Sequence, residues 1–521
     1  MPFAQGSDLS YVLPVTPTSP FLPRASGPAA ADLPGGGSVR PPLPPGPFLV
    51  VGLGRAGMSA ARALAAQGRP GRVWAWDSSA DAVQRQGAAE LRALGVEVRL
   101  GGDGLDLLAG VTTVVKSPGV PPEAPVVAAA LARGLEVFDE LEIGWRLLAA
   151  PTIGITGTKG KSTVSALCVA ILAAHGLEPV LCGNTEFGSA LAEVAAGPPR
   201  PSLVAEISSY QLEFPGEMLV DGAIFTNLSP DHLNRHASMA EYGAAKRNLF
   251  VRGDDAVPLA ALNVDDELGA VLAREVEERG GRSLRYGRDG AADYRIVGCD
   301  WDLRRAELRL ETPSGAVAVE TRLPGLHNAA NVAAALALAD GLGLERGPTL
   351  AALASVAPVR GRFEAVDVDA PFDVVVDFGI CPAGVAAALE AARPLAAARG
   401  GRVLAVVCAL GRSAVAHGPQ TGALARGLAD HLILSGASYR GEARLPPLAA
   451  LAAGARPVAG GELEIAIDRR DAIARAIELA RPGDVVVLIG RGPTAREATD
   501  LRGGFVELED ARVARELVRA L

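Results

Sequence analysis

The sequence has few cysteines, few aromatic residues and no block of basic residues. Its five cysteines form no C-x-x-C pair and show no zinc-binding spacing, which predicts reduced thiols and no structural zinc. The net charge is −9 without a basic cluster, so no nucleic-acid partner is expected. No apolar run approaches the ~18 residues of a membrane span. These absences predict a cytoplasmic protein without a membrane partner.

The N-terminal segment differs from the rest of the chain. Residues 1–47 are rich in Pro, Gly and Ser, and their only cations are Arg24 and Arg40. The segment lacks the charged start and apolar centre of a signal peptide. We predict a disordered tail over residues 1–47, or a start codon placed upstream of the true one.

The remaining sequence suits layers of parallel sheet and helix. Hydrophobic residues make up 49% of the chain but aromatic residues only 4%, and short apolar segments alternate with Ala-rich segments. At 521 residues the chain suits about three domains. We predict an α/β fold with a Rossmann-like domain at 48–148, a phosphate-loop ATPase-type domain with a mostly parallel sheet at 149–356, and a Rossmann-like domain at 357–521.

A phosphate-binding loop is the strongest single motif. Residues 154–163 read GITGTKGKST, between an apolar strand and a predicted helix. Backbone N–H groups and the helix N-terminus would bind the phosphates, while Lys161 neutralises them. Ile155 stands where the general GxxxxGK[ST] motif has its first glycine, and such strings also occur as ordinary turns. The flanking strand and helix favour a nucleoside triphosphate, with contacts from Gly157, Thr158, Lys159, Gly160, Lys161, Ser162 and Thr163.

A second glycine turn opens the first predicted domain. Residues 52–57 read GLGRAG, and Asp77 follows 20 residues after Gly57. Alone, this is a dinucleotide fingerprint and suggests a dehydrogenase. Nothing later in the chain supplies a hydride-transfer site, so the turn is equally suited to the diphosphate of another nucleotide. Lys116-Ser117-Pro118-Gly119 is either a second ligand loop at a strand end or an ordinary turn.

Three segments after the phosphate loop carry candidate metal ligands. Glu206 ends a strand in EISSYQLE, His232 lies in TNLSPDHLNRH, and Lys246 lies on a predicted helix. Mg²⁺ prefers oxygen ligands shared with substrate phosphates, which suits Glu206 together with the loop hydroxyls. His232 is a candidate ligand for a second ion. Asp231 is equally explained as a helix cap.

These motifs in this order resemble the Mur ligase superfamily, over roughly residues 48–340. The set is GTKGKST, EISSYQLE, TNLSPDHLNRH, YGAAK and LPGLHNAAN. GLGRAG, KSPGVP and SSYQLE further resemble the members that add D-glutamate to UDP-N-acetylmuramoyl-L-alanine. The resemblance implies an ATP-dependent ligase of peptidoglycan precursor synthesis, and so of cell-wall growth and division. Its substrates would be a UDP-N-acetylmuramoyl compound, activated as an acyl phosphate, and an amino acid.

The same resemblance implies roles for individual residues. Lys161 would hold the ATP phosphates, while Ser162 or Thr163 and Glu206 would hold one Mg²⁺. His232 would hold a second Mg²⁺ together with a carbamylated Lys246. The implied ATP contacts continue at Asn331, Arg362 and Asp377. The implied UDP-sugar contacts are Arg55, Ala56, Gly57, Asp77, Ser117 and Asn184. The expected state is a monomer.

The third domain fits the resemblance less closely. Ile380 stands where D-glutamate-adding members have lysine, although residues 361–364 match the family. Residues 467–492 resemble the diaminopimelate-adding members instead, but residues 435–440 lack their Asp-Asn-Pro-Arg signature. Arg440 and Arg444 are candidates for binding an amino-acid carboxylate, or solvated surface arginines.

Two substitutions also depart from the family pattern within the central motifs. Lys159 replaces the usual Asn, and Asn234 replaces the usual Asp. Neither removes an implied role. Three hypotheses therefore stay open: a D-glutamate ligase, a related ligase for another amino acid or pathway, and a non-catalytic nucleotide-sugar binder.

Overall fold

The computed structural model describes residues 40–68, 72–184, 188–197, 202–408, 413–438, 443–456, 462–494, 496–498 and 505–521. Most of the predicted disordered tail and the candidate Arg440 lie outside these residues. The described chain forms three large sheets, each flanked by helices, which confirms the predicted three-domain α/β fold. No described helix combines the length and apolar character that a membrane crossing requires.

The first sheet has five parallel strands in the order β3-β2-β1-β4-β5. Every residue of the central strand β1 (FLVV) is buried, as expected for a strand covered on both faces. The carboxyl end of β1 leads directly into the predicted glycine turn. Its elements are β1 Phe48–Val51, α1 Arg55–Ala66, β2 Val73–Asp77, α2 Ala82–Ala93, β3 Glu97–Leu100, β4 Thr113–Lys116, α3 Pro125–Ala132, β5 Glu136–Asp139 and α4 Glu140–Leu147.

The central sheet has nine strands in the order β16-β15-β14-β13-β12-β9-β6-β8-β7. The elements of the central domain, in which β10 and β11 form a separate two-stranded sheet, are β6 Thr152–Thr156, α5 Lys161–Ala174, β7 Pro179–Gly183, α6 Leu191–Ala195, β8 Ser202–Glu206, β9 Gly222–Phe225, α7 Met239–Arg247, β10 Val251–Arg252, β11 Asp255–Ala256, β12 Leu259–Asn263, α8 Glu267–Glu278, β13 Arg282–Gly287, β14 Tyr294–Trp301, β15 Ala306–Thr312, β16 Gly315–Thr321, α9 Leu326–Gly341 and α10 Arg346–Ser355.

The phosphate loop begins at the carboxyl end of β6, an interior strand of this sheet. β6 pairs in parallel with β8 and β9, with Ile155 opposite Glu206 and Ile224. Val164, Leu167 and Ile171 of α5 pack into the same apolar cluster as α9. The sheet is mostly parallel as predicted, but β14, β15 and β16 extend it with antiparallel pairs. The loop therefore starts from the most constrained part of the domain.

The third sheet has the order β17-β18-β22-β19-β20-β21, with β17 antiparallel and the other pairs parallel. The strands β18, β19, β20 and β22 correspond to short apolar segments of the sequence and are mostly buried. Its elements, with a small added hairpin of β23 and β24, are β17 Glu364–Val366, β18 Asp373–Asp377, α11 Pro382–Ala397, β19 Val403–Cys408, α12 Ser413–Leu428, β20 His431–Ser435, α13 Leu445–Gly454, β21 Glu462–Ala466, α14 Arg469–Leu479, β22 Val485–Ile489, β23 Arg496–Ala498, β24 Phe505–Glu507 and α15 Asp510–Arg519.

A buried ion-pair network, here called the first junction, joins the first domain to the central domain. It consists of Lys116, Asp139, Glu213 and Arg235. Lys116 Nζ lies 3.3 Å from Asp139 Oδ1 and 3.2 Å from Glu213 Oε2. Arg235 binds Glu213 at 2.7 Å and also donates to the carbonyl of Val120 at 2.7 Å. The junction fixes the two domains relative to each other.

Candidate active site

Two glycines allow the phosphate loop to pass close to neighbouring polar side chains. Gly157 has φ 148° and Gly160 has φ 86°, a region that favours glycine. A Cβ at Gly157 would overlap Thr226 Oγ1, and one at Gly160 would overlap Asn331 Oδ1. Asn331 therefore lies directly against the loop, as expected for a residue of the ATP site.

The segment after β9 holds the loop backbone in place. Thr158 N donates to the carbonyl of Asn227 at 2.8 Å, and Lys159 N donates to Asn227 Oδ1 at 3.0 Å. Thr158 Oγ1 lies 3.2 Å from the hydroxyl of Tyr242 on α7. The loop shape is thus fixed by contacts with residues of two other segments.

Two lysines converge on the same loop carbonyl. Lys161 Nζ donates to Gly157 O and Thr158 O at 3.1 Å, and Lys246 Nζ donates to Gly157 O at 2.7 Å. Desolvation lowers the pKa of Lys161, while the charge of Glu206 opposes that shift. Burial and the neighbouring Lys161 lower the pKa of Lys246 well below its usual range. This shift increases the share of Lys246 in the neutral amine form, whose lone pair can react.

Glu206 provides a buried carboxylate beside these lysines. It ends β8 and is only 5% exposed, in a position to act electrostatically on Lys161. Ser162 and Thr163 follow Lys161 in the first turn of α5. A carboxylate and two hydroxyls at a phosphate loop are oxygen donors of the kind that Mg²⁺ prefers. The residues present therefore fit a magnesium ion.

His232 has an unusual backbone and a neutral ring. Its φ is 56°, and its Nδ1 lies 3.0 Å from the hydroxyl of Tyr210. Burial lowers the pKa of His232 to about 4, with Lys161 and Lys246 adding to the shift and Asp231 opposing it. A neutral imidazole is the form that binds metals, so His232 also fits the predicted role.

Asp231 pairs with the phosphate loop and does not cap a helix. Its Oδ2 lies 3.3 Å from Lys159 Nζ, and its Oδ1 accepts a hydrogen bond from His232 N at 2.8 Å. The next helix is α7, whose cap is Ser238. The helix-cap interpretation of Asp231 is therefore wrong. The pair forms because this chain has a lysine at position 159.

The third domain brings Arg362 and Asp377 to the loop. Asp377 Oδ2 accepts a hydrogen bond from Phe363 N at 2.8 Å. Burial raises the pKa of Asp377 to about 6, while the charges of Arg362 and Lys159 oppose the shift. Arg362 stacks on Phe378, with 4.8 Å between the guanidinium carbon and the ring centroid. The predicted ATP residues of both domains thus lie around one loop.

The glycine turn of the first domain is braced by Asp77. Asp77 Oδ2 accepts a hydrogen bond from Leu53 N at 2.6 Å, and Oδ1 accepts one from Ser79 N at 2.8 Å. A Cβ at Gly57 would overlap the carbonyl oxygen of Gly52, which explains the glycine there. Asp77 therefore shapes the turn through these two backbone hydrogen bonds.

Ser117 and Arg55 extend this turn toward the central domain. A Cβ at Gly54 would lie 3.9 Å from Ser117 Oγ. Arg55, beside Ala56 at the start of α1, donates to the carbonyls of Gly188 at 3.1 Å and Gly183 at 3.3 Å. The next residue, Asn184, donates its backbone N–H to Glu206 O at 2.6 Å. The predicted UDP-sugar residues thus form a path from the glycine turn to Glu206.

The arginine suggested for an amino-acid carboxylate is already paired. Arg444 Nη2 lies 3.0 Å from Glu497 Oε1, and its side chain is 26% exposed. Glu497 also binds the fully buried Arg491. Arg444 is therefore part of an internal ion-pair group, and the surface-arginine interpretation is wrong.

Sequence reasoning missed two polar residues near the loop. Tyr210 contacts His232, and it lies inside the SSYQLE motif that was itself recognised. His417 of α12 acts electrostatically on Asp231 and Lys159, although it lies in the third domain. No motif identifies His417, because its position depends on how α12 packs.

The three α/β domains carry a phosphate loop, side chains that fit a metal ion, and a glycine turn suited to a nucleotide. Together these features define a multidomain enzyme that depends on ATP. Comparison with known families specifies it further. Three family models match consecutive parts of the chain: Mur ligase MurD-like, N-terminal domain at residues 47–139, Mur ligase middle domain at 155–339, and Mur ligase, glutamate ligase domain at 361–492.

Individual proteins agree with these matches. The chain is 36% identical over 331 residues to the UDP-N-acetylmuramoylalanine–D-glutamate ligase of Synechococcus sp. (strain JA-3-3Ab), covering 61% of this chain and 67% of that one. It is 41% identical over 253 residues to the ligase of the same name from Frankia casuarinae, covering 47% of this chain and only half of that relative. The fold is similar to that of UDP-N-acetylmuramate-alanine ligase MurC from Thermotoga maritima, with a TM-score of 0.54 at 19% identity over 91% of this chain and 99% of that one.

The chain belongs to the Mur ligase family of ATP-dependent ligases. The first-domain match includes the glycine turn, so the dehydrogenase hypothesis is wrong.

Proposed function

We propose that this chain joins D-glutamate to UDP-N-acetylmuramoyl-L-alanine at the expense of ATP. The observation that carries the proposal is the convergence of Lys161, Glu206, His232 and Lys246 at one phosphate loop. The path of first-domain residues that ends beside Glu206 supports a long nucleotide-sugar substrate. The names of the similar ligases support the choice of D-glutamate.

In the proposed reaction the γ-phosphoryl group of ATP passes to the carboxylate of the UDP-sugar substrate. The bond between γ-phosphorus and the ADP oxygen breaks, and an acyl phosphate forms. The amine of the amino acid then attacks the acyl carbon, inorganic phosphate leaves with its electron pair, and the amine loses a proton to solvent. Lys161 and the loop N–H groups hold the phosphates throughout.

Two magnesium ions would bind between this site and the phosphates. Ser162 or Thr163 with Glu206 would hold one ion, and His232 with a carbamylated Lys246 would hold the other. When bound, the ions would offset the negative charge of the phosphates. Asn331, Arg362 and Asp377 would lie along ATP. Arg55, Ala56, Gly57, Asp77, Ser117 and Asn184 would lie along the UDP-sugar.

Carbamylation of Lys246 can be tested directly. A neutral, buried amine reacts with CO₂, and the product is an oxygen ligand with a negative charge. With ¹³C-bicarbonate, we expect one carbamate signal in the ¹³C NMR spectrum that is absent in Lys246→Arg. That variant should also lose at least about a hundredfold in kcat. Arg247→Lys, the adjacent control, should keep both the signal and the rate. A Lys246→Arg protein with full activity would contradict this assignment.

The protein is further proposed to be a cytoplasmic monomer whose domains span residues 48–148, 149–356 and 357–521. Domain closure would exclude water from the acyl phosphate.

The second candidate is a Mur-type ligase for a different amino acid. It is favoured by Ile380, where a lysine is usual, and by the pairing of Arg444 with Glu497. The test is phosphate release from ATP with UDP-N-acetylmuramoyl-L-alanine and Mg²⁺, scanned over D-glutamate and a panel of amino acids. We expect release that depends on D-glutamate and disappears in Lys161→Ala. Release with another amino acid alone would establish the second candidate. Binding without any release would favour a nucleotide-sugar binder.

A further inference from the structure

The ring of His232 is held by the hydroxyl of Tyr210. Tyr210 lies in the short turn after β8, and its hydroxyl is 3.0 Å from His232 Nδ1. The two rings meet edge to face, with 5.1 Å between their centroids. No other described residue forms a hydrogen bond with this ring, which leaves Nε2 for a ligand. The side chain of His232 is 42% exposed, so the ring has free surface at which to meet one.

The surroundings of Nδ1 indicate which nitrogen carries the proton. A neutral imidazole has one N–H, on either Nδ1 or Nε2. Asp231 Oδ1 lies 3.9 Å from Nδ1, and a carboxylate favours an N–H there over a lone pair. The hydroxyl of Tyr210 can accept that N–H, and because Tyr210 is half-buried it can donate its own proton to water. The lone pair of His232 therefore lies on Nε2.

Tyr210 is itself fixed by its neighbours. The guanidinium carbon of Arg235 lies 5.0 Å from the centroid of the Tyr210 ring. Arg235 belongs to the first junction, where it binds Glu213 and the carbonyl of Val120 from the first domain. The ring of His236 lies 5.8 Å from that of Tyr210 and binds Ser209 Oγ at 2.9 Å. The hydroxyl that meets His232 thus has a defined position.

We propose that Tyr210 is a positioning residue that holds His232 with Nδ1 protonated and Nε2 free to bind the second metal ion. Histidines that bind metals almost always donate their other ring N–H to a fixed acceptor, which sets the tautomer and the orientation of the ring. Tyr210 supplies that acceptor and acts through His232. The inference rests on the proposed function, because it concerns the metal-binding role of His232.

The test compares two tyrosines that each lose only the hydroxyl. Tyr210→Phe keeps the ring and its contacts with Arg235 and His236. Tyr294→Phe is the matched control, because the Tyr294 hydroxyl also makes one side-chain hydrogen bond, 3.1 Å to Asp340, but lies on β14.

The first readout is the tautomer of His232 in the metal-free protein. The protein is labelled with ¹⁵N-histidine and its NMR spectrum is recorded at about pH 8, where an ordinary histidine is neutral. The His232 signals are those that disappear in His232→Gln. In the wild type we expect a protonated Nδ1 and an unprotonated Nε2. Loss of one hydrogen bond should raise the ratio of the Nε2–H form to the Nδ1–H form by about three- to tenfold in Tyr210→Phe, and not in Tyr294→Phe.

The second readout is the affinity for Mn²⁺, which needs no turnover. Electron paramagnetic resonance counts bound Mn²⁺ in the presence of a non-hydrolysable ATP analogue. Tyr210→Phe should weaken one Mn²⁺ site by about tenfold or more and lower kcat by a similar factor. The KM for the UDP-sugar should stay the same, and Tyr294→Phe should equal the wild type in each measurement.

These readouts separate the inference from the proposed function. If the wild type shows no ligase activity but the tautomer and Mn²⁺ results hold, the proposed function fails and the positioning role of Tyr210 stands. An Nε2–H tautomer in the wild type would overturn the inference without any variant. Unchanged Mn²⁺ affinity in Tyr210→Phe would overturn it as well. Equal losses in Tyr210→Phe and Tyr294→Phe would do the same, since they indicate a general effect of losing a hydroxyl.

Discussion

Burial sets the charge states of several residues in this protein. It lowers the pKa of Lys161, Lys246 and His232, and it raises the pKa of Asp377 to about 6. Burial is the largest cause of each shift, because a charged group in a low-dielectric interior loses its hydration. Phosphates bound at this site would favour the charged forms of Lys161 and Lys246 and so oppose these shifts.

Glu140 shows the same effect outside the active site. It is fully buried, its Oε1 accepts a hydrogen bond from Ala192 N at 2.6 Å, and burial raises the pKa of Glu140 to about 7. Because the folded-state pKa lies above that of the unfolded chain, the stabilising contribution exists at low pH. It is lost as the pH rises from about 4.5 to about 7.

We predict that Glu140→Gln flattens this pH dependence. Between pH 5 and pH 8 the wild type should lose roughly 2–3 kcal/mol of unfolding free energy relative to the variant. The measurement is urea denaturation at several pH values. Glu193→Gln, an exposed neighbour on α6 whose charge makes only a minor contribution to the Glu140 shift, should retain the pH dependence of the wild type. Parallel curves for wild type and Glu140→Gln would contradict the prediction.

The sequence was sufficient to identify site residues that belong to a local motif. It was not sufficient to identify contacts that depend on how distant parts of the chain pack together. Lys161, Glu206 and His232 occupy motifs with a fixed spacing from a strand end, so their convergence was predictable. The bonds from Asp231 to Lys159 and from Tyr210 to His232 join residues far apart in the chain. The position of His417 depends on the third domain as a whole. No local pattern encodes such distances.

At the scale of elements, the phosphate loop is confined by its neighbours. β6 has hydrogen-bonded strands on both sides, and Asn227 after β9 binds the loop backbone. These contacts from the protein itself preorganise the loop. Preorganised donors avoid the cost of reorganising when charge develops.

We predict that Gly157→Ala strongly weakens ATP binding with little effect on UDP-sugar binding. The added Cβ would overlap Thr226 Oγ1 at a backbone angle of φ 148°, so the loop must move. ATP affinity measured by calorimetry should fall at least about a hundredfold, because several backbone donors lose their alignment. Gly176→Ala is the matched control, since it also has positive φ, 74°, but open space around the Cβ. It should cost about 1 kcal/mol of stability and leave ATP binding intact. Wild-type ATP affinity in Gly157→Ala would contradict the prediction.

Some helices and strands are easier to predict from the sequence than others. The strand VVVLI of β22 is wholly buried, and the short apolar run in the sequence is the pattern expected of such a strand. The strands β15 and β16 belong to an antiparallel extension that was not predicted. The residues of β15 alternate strictly between buried and exposed, which is the available signal for a half-covered strand.

At the scale of the molecule, the first junction couples two domains through buried charges. Glu213 lies between Lys116 of the first domain and Arg235 of the central domain. Buried charges are tolerated only while they remain paired, so each partner is sensitive to the loss of another.

We predict that Glu213→Ala destabilises the protein by roughly 3 kcal/mol, because it leaves cations poorly paired in the interior. It should also raise the KM for the UDP-sugar, whose predicted contacts span both domains, with a smaller effect on the KM for ATP. Thermal unfolding and steady-state kinetics measure the two effects. Glu217→Ala, a 70% exposed carboxylate nearby, should change stability by less than about 1 kcal/mol. Equal effects of the two substitutions would show that the junction does not couple the domains.

Among the residues that the structure describes, each of the three large sheets is built from its own stretch of chain, and no strand crosses between them. Substitutions at the rim of the third sheet can therefore accumulate without altering hydrogen bonds in the sheet that holds the phosphate loop. Because the sheets are independent, the third domain can be exchanged. A third domain from a relative that uses a different amino acid can be joined after α10 while the phosphate loop of the central domain stays intact. What such a chimaera must reproduce is the short list of side chains that reach across to the loop.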